Sequence, residues 1–177
     1  MKKILITSLY LFLTAHALMG QDIYTASQFE NAGGTVWDPL IEKDGQALSG
    51  VITDNYDNAK PKLWKEVKNG RAHGVWMEWF ENGNLRYKAE WKEGKGHGVW
   101  LYFYENGQLQ SEEIYEQDIN QGIGLNYHLN GQLKQKTFYL DGKKHGKWVD
   151  YANNGQPTKY QVFKSGELIG EGDYERR

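Results

Sequence analysis

The chain has 177 residues, 39% hydrophobic and 14% aromatic, with 21 glycines, 3 prolines and no cysteine. Without cysteine it forms no disulfide, thiolate nucleophile, Cys-based zinc site or lipobox lipid anchor, and its excess of glycine and aromatics favours short strands and tight turns over helices. The formal charge of −2 argues against nucleic acid as a partner, because neutralising phosphates takes a clustered basic surface.

Residues 1–20 read as a secretory signal peptide: Met1-Lys2-Lys3, an apolar run from Ile4 to Leu13, then small residues in Ala15-His16-Ala17. Cleavage after Ala17 or after Gly20 fits the chemistry. The stretch falls short of the ~20 apolar residues of a spanning helix and is broken by Thr7, Ser8 and Thr14. The expectation is export to the periplasm or the exterior, with no integral membrane segment once the signal is removed. Removal leaves 19 basic against 23 acidic residues.

Residues 21–42 stand outside the pattern that follows and are expected to cap it. Ile23, Tyr24, Phe29, Trp37, Leu40 and Ile41 are suited to cover an open sheet edge, with Pro39 blocking further pairing.

Residues 43–177 form a repeat domain. Gly50, Gly74, Gly98, Gly122, Gly146 and Gly170 follow one another at intervals of 24 residues, a period that marks a repeat architecture. Asn82-Gly83, Asn106-Gly107, Asn130-Gly131 and Asn154-Gly155 keep step with them. Asn-Gly between apolar runs signals a hairpin, and a type I′ turn is expected because both residues tolerate positive φ. Counting outward from Asn82-Gly83 sets Phe80 opposite Leu85 and Gly74 opposite Trp91; the next unit gives Tyr104 opposite Leu109 and Gly98 opposite Tyr115. Asn69-Gly70, Glu93-Gly94, Asp141-Gly142 and Ser165-Gly166 then link each hairpin to the next. The fold expected is all-β: one elongated antiparallel sheet of tandem 24-residue hairpins with only neighbour contacts.

Segments such as Gly-Val-Trp-Met-Glu-Trp-Phe-Glu-Asn-Gly (74–83), Gly-Val-Trp-Leu-Tyr-Phe-Tyr-Glu-Asn-Gly-Gln-Leu (98–109) and Tyr-Leu-Asp-Gly-Lys-Lys-His-Gly-Lys-Trp (139–148) resemble the MORN repeat variant across roughly 43–172. That resemblance implies a relation to bacterial proteins often labelled as antitoxin-like components. Two units depart from the pattern: Gln121-Gly122-Ile123-Gly124 lacks the His and the Trp, and Lys43-Asp44-Gly45 begins its turn one residue early.

His73, His97 and His145 precede the periodic glycines. Equivalent positions lie two strands apart, about 9.6 Å, too far to share a zinc ion held at ~2.0–2.1 Å; His128 replaces Phe80 and Tyr104 at its position and reads as a packing residue. Glu78, Asp150 and Asp54 share one repeat position and therefore one environment, whereas an acid/base pair needs two. No metal, cofactor or catalytic residue is expected. The candidate surface is aromatic. One face aligns Trp76, Trp100 and Trp148; Phe80 and Tyr104; and Trp91, Tyr115, Tyr139 and Phe163. The opposite face carries Trp79, Phe103, Tyr127 and Tyr151 among lysines and Arg86. A single sheet cannot bury both faces, so Trp76, Phe80, Trp91, Trp100, Tyr104, Tyr115, Tyr139 and Trp148 are the candidate binding face. The expected activity is noncatalytic binding or scaffolding, with a protein as the partner and a peptide or glycan as further options. The alternative is an antitoxin-like regulator that neutralises a partner protein.

Overall fold

The computed structural model describes residues 22–26, 41–43 and 45–175. The signal peptide and, within the capping segment, Phe29, Trp37, Pro39 and Leu40 lie outside the described residues. Every regular element described is a strand. The short leading strands are β1 (Ile23–Thr25), β2 (Glu42–Lys43) and β3 (Gln46–Ala47). The array then runs through β4 (Gly50–Asn55), β5 (Pro61–Lys68), β6 (Arg71–Trp79), β7 (Leu85–Lys92), β8 (Lys95–Gly96), β9 (Gly98–Phe103), β10 (Leu109–Glu116), β11 (Ile119–Asn120), β12 (Gly122–Tyr127), β13 (Leu133–Leu140), β14 (Lys143–Lys144), β15 (Gly146–Tyr151), β16 (Pro157–Lys164) and β17 (Glu167–Asp173).

Fifteen strands join one sheet in chain order, each long strand antiparallel to the next, as the repeat implies. Its first edge departs from the all-antiparallel expectation. There β1 lies parallel to β4, with Tyr24 beside Ile52, and β2–β3 form a separate small sheet.

The two turns of each unit differ in kind, and the assignment of type I′ is reversed. At the Asn-Gly turns Gly83, Gly107, Gly131 and Gly155 have positive φ but their asparagines do not. The Gly83 amide donates to Phe80 O and the Phe80 amide to Asn84 O, the pattern of a three-residue loop ending in a left-handed glycine. Asparagine serves here through its side chain: Asn82 Oδ1 accepts the Asn84 amide at 2.8 Å, and its Nδ2 donates to Glu105 O of the next unit at 2.8 Å. Asn58, Asn106 and Asn130 make the same two bonds. The type I′ turns are the linkers. Asn69-Gly70, Glu93-Gly94, Asp141-Gly142 and Ser165-Gly166 have positive φ at both residues, as does Gln117-Asp118, which has no glycine to mark it.

The longer loop shifts the register near the hairpin tip. Gly74 pairs with Trp91 and Gly98 with Tyr115, as counted from the turn. A bulge after Glu78 then sets Trp79, not Phe80, opposite Leu85, and Phe103, not Tyr104, opposite Leu109. The periodic glycines at 74, 98, 122 and 146 have φ between 64 and 74° and follow each linking turn. Gly170 keeps the interval but not the positive φ.

The buried core is concentrated at the first end. Ile41, Leu48, Ile52, Val67, Ala72 and Trp76 pack on one face, and Val51, Trp64 and Trp79 on the other. Within it the Lys65 ammonium is 1% exposed, lies 3.0 Å from Glu78 Oε1 and sits 4.8 Å from the Trp76 ring centre. Burial lowers its pKa, and the Glu78 carboxylate opposes that shift.

Candidate functional site

Antiparallel pairing puts Gly74, Trp76 and Glu78 on the same face as Trp91, Ala89 and Tyr87. Successive units extend this face into stacked rings, one from each of β6, β7, β9, β10, β13, β15 and β16. Trp76, Trp91, Trp100 and Tyr115 follow at centroid distances of 5.1, 4.9 and 4.7 Å. After an interruption, Tyr139, Trp148 and Phe163 continue at 5.2 and 5.1 Å. The tilts of 41–62° are favourable for neighbouring π systems. Each tryptophan of the first strand in a hairpin is anchored through its indole N–H: Trp76 to Glu66 O, Trp100 to Glu90 O and Trp148 to Phe138 O, at 2.8, 3.1 and 3.0 Å.

Six of the eight candidate residues therefore fall on one face, in two runs of stacked rings. Trp76 and Trp148 are buried at 4% and 7% exposure, while Trp91, Trp100, Tyr115 and Tyr139 are half-buried. Phe80 and Tyr104 lie instead at the hairpin tip. The Tyr104 hydroxyl donates to Tyr127 O of the next unit at 2.8 Å, and Tyr56 makes the equivalent bond to Trp79 O. His128 occupies the same station with its Nε2 at 2.9 Å from Tyr151 O. Phe80 stacks under the Arg86 guanidinium at 5.8 Å.

The remaining histidines sit beside the bulges. The His97 and His145 amides donate to Glu90 O and Phe138 O, and the His145 ring lies edge-on to Phe138. His73 lines a cleft of about 500 Å³ with Asp22, Glu66 and Asn69.

Electrostatics single out the middle of the ring face. The Tyr115 hydroxyl donates to Glu113 Oε2 at 2.7 Å, and burial followed by that carboxylate pushes its pKa up to about 12. Tyr102 and Tyr139 are raised by burial first and by the charge of Glu113 second. One carboxylate thus faces three tyrosines. Neither Glu113 nor its surroundings were evident from the repeat, because position 113 corresponds to Lys65, Ala89, Thr137 and Gln161 in the other units.

The family model of the MORN repeat variant matches residues 72–93, 96–117 and 120–141, three tandem units. No curated protein matches the chain.

Proposed function

We propose, from the premise that this chain is a member of the MORN repeat variant family through its units at 72–141, that it is an exported, noncatalytic scaffold that docks a protein partner on the aromatic face. One observation carries the reading. Between residues 90 and 147 no hydrophobic side chain is buried outright, although Trp91, Trp100, Tyr102, Tyr115 and Tyr139 all lie there. Among the described residues, the core cluster that buries Trp76 at the first end reaches along the ring face as far as Trp91. An apolar, ring-rich strip of this size rimmed by polar groups suits a protein interface, where tyrosine and tryptophan are enriched. The polar side chains recur as columns along the array, which favours binding over chemistry, since catalysis calls for unlike groups in unlike environments. Export is supported by the basic, apolar and small-residue order of residues 1–20.

Capture from an envelope extract tests this. The Trp100→Ala/Tyr115→Ala protein, checked for fold by circular dichroism, is expected to lose the partner that the unaltered chain retains. A Leu101→Ala/Leu125→Ala protein, altered on the opposite face, is expected to keep it. Equal recovery by a folded Trp100→Ala/Tyr115→Ala protein refutes the reading. If the captured partner arrests growth when expressed alone and is silenced by this chain, the scaffold reading gives way to the antitoxin-like one.

A further inference from the structure

The ring stack is interrupted at one strand. Along β6, β9, β12 and β15 the position that points into the stack is Trp76, Trp100, Gly124 and Trp148. The rings on either side of Gly124 are Tyr115 and Tyr139. They belong to strands two apart, about 9.6 Å in a regular sheet, and no ring contact joins them, whereas every other neighbouring pair in the stack stands at 4.7–5.2 Å.

What surrounds Gly124 is rich in acceptors. Glu113 faces it across β10–β12 by the register that pairs Glu112 with Leu125. The Glu113 carboxylate is half-buried, accepts the Tyr115 hydroxyl and, among the described residues, forms no ion pair. Asn120, paired with Tyr115, has its Oδ1 buried without a hydrogen bond. The Ile114 carbonyl accepts the Gln121 amide and corresponds to Glu66 O, Glu90 O and Phe138 O, each of which accepts an indole N–H; at Gly124 there is no indole to donate.

The same fold holds ammonium groups against this stack elsewhere. Lys65 lies over Trp76 with the Glu78 carboxylate as its partner. Lys144 Nζ lies 4.5 Å from the Trp148 ring centre and 5.0 Å from that of Phe163. Glu113 stands at the repeat position of Lys65 and presents the opposite charge to the same face.

Resting on the protein-docking reading above, we propose that the break in the ring stack beside Gly124 receives the side chain of a lysine from the partner protein, its ammonium on the half-buried Glu113 and its stem along the Tyr115 and Tyr139 rings. An ammonium brings three donors and no acceptor, which complements a carboxylate, an amide oxygen and a carbonyl. Ring faces attract the cation, and a four-carbon stem covers apolar surface while its head reaches the charge. An alkylammonium could also come from an ethanolamine lipid headgroup, but a half-buried carboxylate within a protein-sized strip fits a protruding side chain.

Titration of the isotope-labelled protein with acetyl-glycyl-lysyl-glycinamide, followed by amide and indole NMR signals, tests the assignment. The lysine peptide is expected to shift Gly124 and the Trp100 and Trp148 indoles, and its norleucine counterpart to leave them in place. Glu113→Gln is expected to weaken binding by about tenfold or more. Gly124→Trp combined with Thr137→Ala rebuilds the Trp76–Ala89 pair of the β6–β7 hairpin, since a Cβ on Gly124 would otherwise press on Thr137 Oγ1 at 2.5 Å. That variant is expected to stay folded and lose the peptide. Equal binding of the norleucine peptide, an unchanged affinity in Glu113→Gln, absence of binding, or binding to phosphatidylethanolamine vesicles in place of the peptide overturns the proposal. Partner capture that depends on Trp100 and Tyr115 while the peptide fails to bind sinks the lysine slot alone. Peptide binding with no such capture sinks the docking reading.

Discussion

Single residues in this chain are selected by backbone conformation as often as by contact. Gly98 has φ of 72°, and its ring partner Tyr115 is not what a side chain there would strike; a Cβ would meet the Glu90 carboxylate on the neighbouring strand. Gly98→Val should therefore destabilise by about 2 kcal/mol or more, since a β-branched residue resists the left-handed region before any collision is counted. A urea midpoint equal to that of the unaltered protein would contradict this. Ala59 shows the converse case. It closes the first hairpin loop at φ 61°, where the later loops have glycine. Ala59→Gly should stabilise by about 0.5–1 kcal/mol, the relief of left-handed strain exceeding the added freedom of the unfolded chain; a lowered midpoint would count against it.

At the scale of the element, the hairpin tip is a stacked structure in its own right. Asn106 ties its own loop through Gln108 and the next loop through Leu129 O. Among the described residues Asn154 holds its own loop, through Gln156, with no further hairpin tip beside it. Asn106→Ala should thus cost about 1–2 kcal/mol and Asn154→Ala about half that, as measured by the same denaturation. Equal losses would mean that the bond between units contributes nothing. The sequence marked these turns correctly, and the linking turns as well, but for different conformations than the ones found. Asn-Gly suits both a two-residue I′ loop and a three-residue loop with a left-handed glycine, and the side-chain bond to the next unit, which favours the second, exists only once the hairpins lie side by side. Gln117-Asp118 turns without any glycine because the units on either side impose the same crossing.

At the scale of the whole molecule, the described residues form one long sheet with its buried core concentrated at the first end. Its tyrosines report this. Tyr87, Tyr102, Tyr115, Tyr127 and Tyr139 all have pKa values raised above 10.0, chiefly by burial. A raised folded value means that the folded chain keeps these protons longer than the unfolded chain. The stabilisation is complete below pH 10 and is lost as pH climbs towards about 12, the folded value of Tyr115. Alkaline titration should show tyrosinate absorbance rising together with loss of near-UV circular dichroism in that window. Ionisation near pH 10 with an unchanged spectrum would show that the ring face is solvated.

The 24-residue period, the all-strand fold, the place of both turns and the pairing of Gly74 with Trp91 follow from the sequence alone, because hairpin contacts are local and each unit repeats the last. The tertiary structure decided what no single unit contains. It set the parallel strand at the first edge, moved Phe80 and Tyr104 from the ring face to the tip, and surrounded Gly124 with Glu113, Tyr115 and Tyr139. These depend on which side chains meet across strands from different units, and a repeat pattern specifies that meeting only after the register, bulges included, has been built.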